Sequence, residues 1–138
     1  MMGVNMRSLA AATTVGTIAT LACLSFYHSY QQRLEIAASN ELLAGFQRDV
    51  VKVNPSVYKH YVGLYQLEPD FNIAITSDGE RLFAQGSNQI RVELYPASES
   101  TFFNNYTEAL IVFEAPNQGE THQFVLHQIN QIRHGRRI

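Results

Sequence analysis

Cysteine is almost absent from this sequence: Cys23 is the only one among 138 residues. A single thiol excludes an internal disulfide framework. The sequence also has no large excess of charge of one sign. It contains 10 Lys and Arg residues and 12 Asp and Glu residues, for a formal net charge of −2. Binding to nucleic acid usually needs a clustered basic surface, so we expect no nucleic-acid partner. The length allows one domain with extensions.

Charged residues are also absent from Leu9–Tyr27, which follows Arg7. A basic start, an apolar stretch and a small-residue site such as Thr20–Ala22 are typical of an export signal. A retained membrane anchor, a lipoprotein signal with Cys23 acylated and an ordinary buried helix are the alternatives. We expect residues 1–27 to be a signal peptide or membrane anchor. The rest would then be extracytoplasmic, in the periplasm or cell envelope, either secreted or tethered to the membrane.

The next segment, residues 28–53, has apolar side chains at every fourth position, at Leu34, Ala38, Leu42 and Phe46. This period favours an amphipathic helix or helical linker. Such a helix would pack on its own domain or serve as a stalk, and a dedicated partner-binding helix is the alternative.

Residues 54–138 show a different pattern. Asn54 and Pro55 are a favourable cap and first residue for one short helical turn. After it, strand signals recur about every ten residues, separated by turns such as Asp78–Gly79, and Gly63 suits a bend where strands approach closely. Every connection is of hairpin length, with no room for crossover helices. We therefore predict a mainly β fold, an eight-stranded antiparallel up-and-down barrel that leaves no open edge.

Six stretches of this region are similar to a known family, in the same order and at compatible spacing: "YVGLYQL", "FNIAIT", "RLFAQ", "ELYPASESTFF", "FVLHQ" and "RRI". Together they resemble the lipocalin-like C-terminal domain of β-lactamase-related, penicillin-binding-protein-like serine hydrolases. The resemblance covers roughly residues 54–138 and implies an eight-stranded barrel. In that family a catalytic domain of several hundred residues comes first, whereas about fifty residues precede the barrel here. We therefore expect the barrel to stand alone, without the catalytic domain.

One short motif resembles catalytic machinery. Ser56 to Lys59 read S-x-x-K, the nucleophile motif of penicillin-recognising enzymes. Those enzymes also need a Lys-Thr-Gly element, which this sequence does not contain. We expect a solvated helical turn and no catalytic residues, and a hydrolase that uses Ser56 and Lys59 remains a remote alternative.

The histidines do not have metal-ligand spacing. His122 and His127 are five residues apart, so they point to opposite faces of one regular strand. We expect no metal and no cofactor. His127 is expected to be a hydrogen-bonded barrel residue, with ligand contact as the alternative.

Aromatic side chains are concentrated in the barrel region. If the interior is filled they form its core, and if it is partly open they provide the apolar walls and polar tips of a small-molecule site. The candidate ligand-binding residues in the barrel interior or mouth are Tyr61, Tyr65, Phe83, Tyr95, Phe103 and His127.

Two functions account best for these features. The first is a non-catalytic accessory module, exported or membrane-tethered, that contacts another protein such as a serine hydrolase of the cell envelope. The alternative is a lipocalin-like protein that binds a small hydrophobic ligand. A continuous cavity larger than a few water molecules favours ligand binding, and a filled barrel with an exposed apolar patch favours the accessory module.

Overall fold

A computed structural model describes the backbone of residues 6–138 and the side chains of residues 21–138. It contains a long helix, a short 3₁₀ helix and eight strands, and it divides into two compact units, one ending at Ala37 and one spanning Ala38–Ile138. The elements are α1 (Met6–Gly45), η1 (Pro55–His60), β1 (Gly63–Glu68), β2 (Phe71–Ser77), β3 (Leu82–Gly86), β4 (Val92–Pro96), β5 (Thr101–Asn104), β6 (Ala109–Phe113), β7 (Gln123–Gln128) and β8 (Gln131–Arg137).

The first unit is the part of α1 that ends at Ala37. From residue 21 onward most of its large apolar side chains are exposed, Ile36 being half-buried, and Cys23 is exposed as well. Within the described residues, no helix combines the length and the apolar character needed to span a membrane. Residues 1–5 of the predicted signal or anchor lie outside the described residues, as do its side chains up to residue 20. The signal peptide, the anchor and the acylation of Cys23 therefore stay predictions.

The second unit contains a closed barrel in which β1 to β8 are neighbours in chain order and every pair is antiparallel. The barrel closes where β1 pairs with β8, with Tyr65 opposite Arg137 and Gln66 opposite Arg136. The predicted mainly β, eight-stranded up-and-down barrel is confirmed. Closure pairs the backbone groups that an open sheet would leave at its edges.

Turn chemistry sets the hairpins. Between β2 and β3, Asp78 Oδ1 accepts hydrogen bonds from the backbone N–H groups of Glu80 (3.0 Å) and Arg81 (2.8 Å). Gly79 adopts a φ of +96°, a conformation that a side chain would disfavour. The turn predicted at Asp78–Gly79 is confirmed.

One end of the barrel, called the closed end below, is filled by η1 and an aromatic cluster. Asn54 Oδ1 accepts the N–H of Ser56 at 3.0 Å, which caps η1 and confirms the predicted helical start, although the turn is 3₁₀. Tyr61 stacks on Phe113 with ring centroids 4.2 Å apart. The cluster consists of Tyr58, Tyr61, Tyr65, Phe102, Phe113 and Phe124, all buried.

The last turns of α1 cover part of the barrel's outer face. Leu43 is buried against Phe103 and Leu110, and Phe46 packs edge-on against Phe103. After Gly45 the chain is irregular as far as η1, so the region predicted as a helix or linker is helical only in its first part.

Candidate ligand-binding site

The barrel's other end is open. Here β2, β4, β6 and β8 begin and β1, β3, β5 and β7 end. A pocket of about 470 Å³ extends from this open end into the barrel. Its apolar lining comes from five strands, β2, β3, β4, β6 and β7, because alternate residues of each strand point inward. These residues are Phe71, Ile73, Ala84, Gly86, Val92, Leu94, Ala109, Ile111 and Leu126, with Ile90 in the loop between β3 and β4.

The volume of the pocket is large enough for a small molecule. A water molecule occupies about 30 Å³ of the liquid, and small-molecule sites are typically about 300–1,000 Å³. The pocket therefore exceeds a few water molecules and has the volume of a small-ligand site.

Polar side chains are few and lie toward the mouth: Gln89, Asn104, Tyr106, Thr107, Gln128 and Arg133. Asn104 has a structural task, since its Nδ2 donates to Glu93 O (2.8 Å) and its Oδ1 accepts from the N–H of Thr107 (2.9 Å). The first bond ties the end of β5 to β4, and the second holds the hairpin between β5 and β6. Asn104 thus shapes the mouth, and both the nitrogen and the oxygen of its side-chain amide are already engaged.

Two predicted ligand-binding residues, Tyr61 and Tyr65, lie inside the barrel but at the closed end. The Tyr61 hydroxyl donates to Glu99 O (2.6 Å), and the Tyr65 hydroxyl donates to Tyr61 O (2.7 Å). Burial raises the pKa of both phenols, and for Tyr65 the nearby Arg137 opposes the rise in pKa. Their rings fill the closed end and do not line the pocket.

Three other residues predicted for the barrel interior or mouth, Phe83, Tyr95 and Phe103, lie on the outer face, which corrects the interior position for them. Phe83 packs under Arg91, whose Cζ is 4.4 Å from the ring centroid. Tyr95 and Phe103 contact each other, with centroids 5.8 Å apart. Their strand neighbours, such as Ala84, point inward instead. Ligand contact at these three positions stays a prediction.

His127 also lies on the outer face rather than in the interior. Its Nδ1 is 2.8 Å from the Oγ of Ser39, a buried residue of α1. Burial, reinforced by the nearby His134, lowers the pKa of His127 below the usual value near 6.5. The hydrogen-bonded structural role expected for His127 fits this geometry.

The S-x-x-K residues are remote from the pocket lining. Ser56 and Lys59 are both exposed on η1, at the closed end. The backbone N–H of Ser56 donates to the helix cap. Within the described residues, no group of three or more His, Cys, Asp or Glu side chains could hold a metal ion. The absence of catalysis and of a metal remain expectations.

Sequence reasoning missed Gln128 and Arg133, which line the pocket. The sequence feature that could have identified them is the two-residue turn between β7 and β8. The length of a hairpin turn fixes which residues of the two strands lie opposite each other. With Gln128 opposite Gln131, Leu126 falls opposite Arg133. Since Leu126 points inward, Arg133 on the partner strand does too.

Comparison with known proteins places this barrel in a family. Residues 47–136 match the family described as a domain of unknown function, DUF3471. The chain belongs to the DUF3471 family. Penicillin-binding protein 4* of Bacillus subtilis (strain 168) is 31% identical over 83 residues, which cover 54% of this chain and 18% of that protein. No solved structure matches.

The DUF3471 barrel is thus related to a penicillin-binding protein, and the predicted resemblance is supported to that extent. The chain spans less than a fifth of the length of that relative.

Proposed function

We propose that this DUF3471 barrel is a non-catalytic binding module that holds a small apolar molecule in its open-end pocket. The observation that carries the proposal is the 470 Å³ pocket with predominantly apolar walls and a few polar groups toward its mouth. Sites with this construction obtain affinity from the walls and orientation from the polar groups.

The apolar walls favour an apolar occupant. Transfer of apolar surface out of water contributes about 25 cal/mol per Å². The mouth extends this surface outward, because Ile90, which is 67% exposed, and the aromatic ring of Tyr106, a residue that is 78% exposed, both border the pocket. Large exposed apolar residues clustered around a cavity are typical of an interaction site.

The pocket is also preformed. The barrel is closed by the pairing of β1 with β8, and the aromatic cluster fills its other end. When a ligand enters a preformed cavity, little binding free energy is lost in ordering protein side chains and loops. The fold therefore supports binding without rearrangement.

Binding of the uncharged fluorophore N-phenyl-1-naphthylamine tests the proposal. Ala84 lines the pocket, and Ala74 on the neighbouring strand is not among the lining residues. Ala84→Leu should fill part of the cavity and abolish most of the fluorescence increase. Ala74→Leu, the matched control, should leave that increase unchanged, and thermal unfolding verifies that both variants fold.

The proposal fails if the unaltered protein gives no saturable fluorescence increase. It also fails if folded Ala84→Leu binds the fluorophore as the unaltered protein does.

A second candidate function rests on the relation to penicillin-binding protein 4*. In this alternative the barrel is an extracytoplasmic accessory module, held at the cell envelope by residues 1–27, that contacts a serine hydrolase. Native mass spectrometry of the protein released from its own membranes tests it. Co-release of a hydrolase supports the alternative, and release of the chain without any second protein opposes it. The mass of the N-terminus distinguishes an anchor, a cleaved signal and an acylated Cys23.

A further inference from the structure

The pocket contains one charged side chain. Among the described residues that line it, Arg133 is ionised at neutral pH, and none is Asp, Glu, Lys or His. An apolar pocket with one guanidinium and no carboxylate of its own has a formal charge of +1. The lining therefore favours a ligand that brings the missing negative charge.

Neighbouring groups hold Arg133 at the mouth. Its Nη2 donates to Gln131 Oε1 at 2.9 Å, and its Cζ lies 5.6 Å from the ring centroid of Phe71, which also lines the pocket. A guanidinium supported in this way has lost much of its conformational freedom before a ligand arrives.

The charge of Arg133 is only weakly compensated. Glu68 is the one carboxylate paired with it among the described residues, and the distance from Arg133 Nε to Glu68 Oε1 is 3.7 Å. The Glu68 side chain is 57% exposed. Exposed pairs of this length contribute little, so the guanidinium can accept a better-placed anion.

The deep part of the pocket cannot hold a charge. Its walls are side chains such as Ile73, Leu94 and Ile111, which have no hydrogen-bond donors. Beyond them, the hydroxyls of Tyr61 and Tyr65 already donate to backbone carbonyls. A buried anion without donors is strongly disfavoured, so a charged group has to remain at the mouth.

We infer that the pocket binds an anionic amphiphile, with its apolar chain inside the barrel and a carboxylate on Arg133. This inference rests on the proposed function and adds the chemical class of the ligand. The planar guanidinium can donate two parallel hydrogen bonds to a carboxylate. The amide of Gln128, which also lines the pocket, is a further donor at the same end.

Three ligands with the same chain length separate the effect of charge from that of apolar volume: dodecanoate, dodecanol and dodecylammonium. Isothermal titration calorimetry of the full chain, below the micelle concentrations, compares their affinities. We expect dodecanoate to bind about 10-fold or more tightly than dodecanol, because hydrogen bonds to charged groups are the stronger class. Dodecylammonium should bind most weakly, since Arg133 repels it.

Variants of two arginines on β8 test whether the preference for dodecanoate comes from Arg133. Arg133→Gln should weaken dodecanoate binding about 10-fold and leave dodecanol binding within about 2-fold. Arg133→Lys should retain part of the preference because it keeps the charge. Arg136→Gln is the matched control, since Arg136 is an exposed residue of the same strand outside the pocket lining. It should change neither affinity.

The outcomes distinguish this inference from the proposed function. If dodecanol and dodecanoate bind equally and Arg133→Gln alters neither, the charge-based inference is overturned while the apolar pocket stands. If no ligand binds, or if Ala84→Leu leaves binding intact, both are overturned. A preference for dodecanoate that Arg136→Gln removes and Arg133→Gln does not also overturns the inference.

Discussion

Arg137 Nη2 lies 2.9 Å from the hydroxyl of Tyr65, its partner across the β1–β8 seam of the barrel. The same guanidinium donates to three backbone carbonyls, Thr121 O (2.7 Å), Val62 O (2.8 Å) and His60 O (3.1 Å). It therefore ties the end of β8 to η1, to β1 and to the segment before β7. Arg133, four residues earlier on the same strand, makes one hydrogen bond and borders the pocket. Arg137 therefore has a structural role, whereas the guanidinium of Arg133 keeps donors that a ligand in the pocket could use.

Arg137→Lys should lower the free energy of unfolding by about 2–4 kcal/mol, measured by urea denaturation. An ammonium group has three donors and cannot reproduce the four contacts of the guanidinium fork. Arg136→Lys is the control, because Arg136 is exposed and no side-chain hydrogen bond of it is described. Equal losses in the two variants would contradict this role for Arg137.

Because Gly63 has no side chain, the guanidinium of Arg137 can occupy the space beside it. A Cβ atom at residue 63 would collide with Arg137 Nη1 and lie 2.8 Å from its Cζ. Gly63→Ala should therefore cost about 1–3 kcal/mol of stability, the usual range for overpacking. Gly45→Ala is the control, since no atom lies within 4 Å of the Cβ position there.

A double-mutant cycle isolates the contact. In an Arg137→Ala background the guanidinium is gone, so Gly63→Ala should cost at least about 1 kcal/mol less than it does in the unaltered protein. Additive costs in urea denaturation would show that Gly63 is required for some other reason.

The sequence was sufficient for the barrel because its signals are local. Strand alternation and turn residues such as Asp78–Gly79 repeat along the chain, and hairpin-length connections allow only neighbours to pair. Gly63 was correctly expected at a close approach, although the approaching group is the Arg137 guanidinium rather than a strand.

The site was harder to predict because it depends on which face each side chain occupies. A change of one residue in register reverses inside and outside, and aromatic residues serve both faces here. Phe102 fills the interior, whereas the next residue, Phe103, packs against α1. Composition alone could not separate the closed end from the open end, since that distinction depends on where η1 is placed.

The burial of His127, reinforced by the nearby His134, makes the barrel's stability depend on pH. Burial lowers the pKa of His127 in the folded state, so below about pH 6.5 the unfolded chain binds more protons than the folded one. The contribution of His127 to the free energy of unfolding is therefore fully present above the unfolded pKa. It is lost as the pH falls from that value through the lower, folded pKa.

Urea denaturation between pH 8 and pH 5 measures this dependence. His127→Gln should flatten the pH profile in the acidic half of this range. His122→Gln is the control, because His122 is exposed, and it should leave the profile unchanged. A profile that is the same in the unaltered protein and in His127→Gln would contradict the assignment to His127.

The two ends of the barrel should respond differently to the loss of an aromatic ring. Phe102 is fully buried at the closed end, with ring centroids 5.7 Å from both Tyr61 and Phe113. Phe71 is partly exposed and borders the open pocket. Phe102→Ala should cost about 3–5 kcal/mol of stability, whereas Phe71→Ala should cost about 1–2 kcal/mol, because its ring already faces a cavity. Equal costs in urea denaturation would mean that the open end is packed as tightly as the closed end, which would remove the basis for a binding pocket.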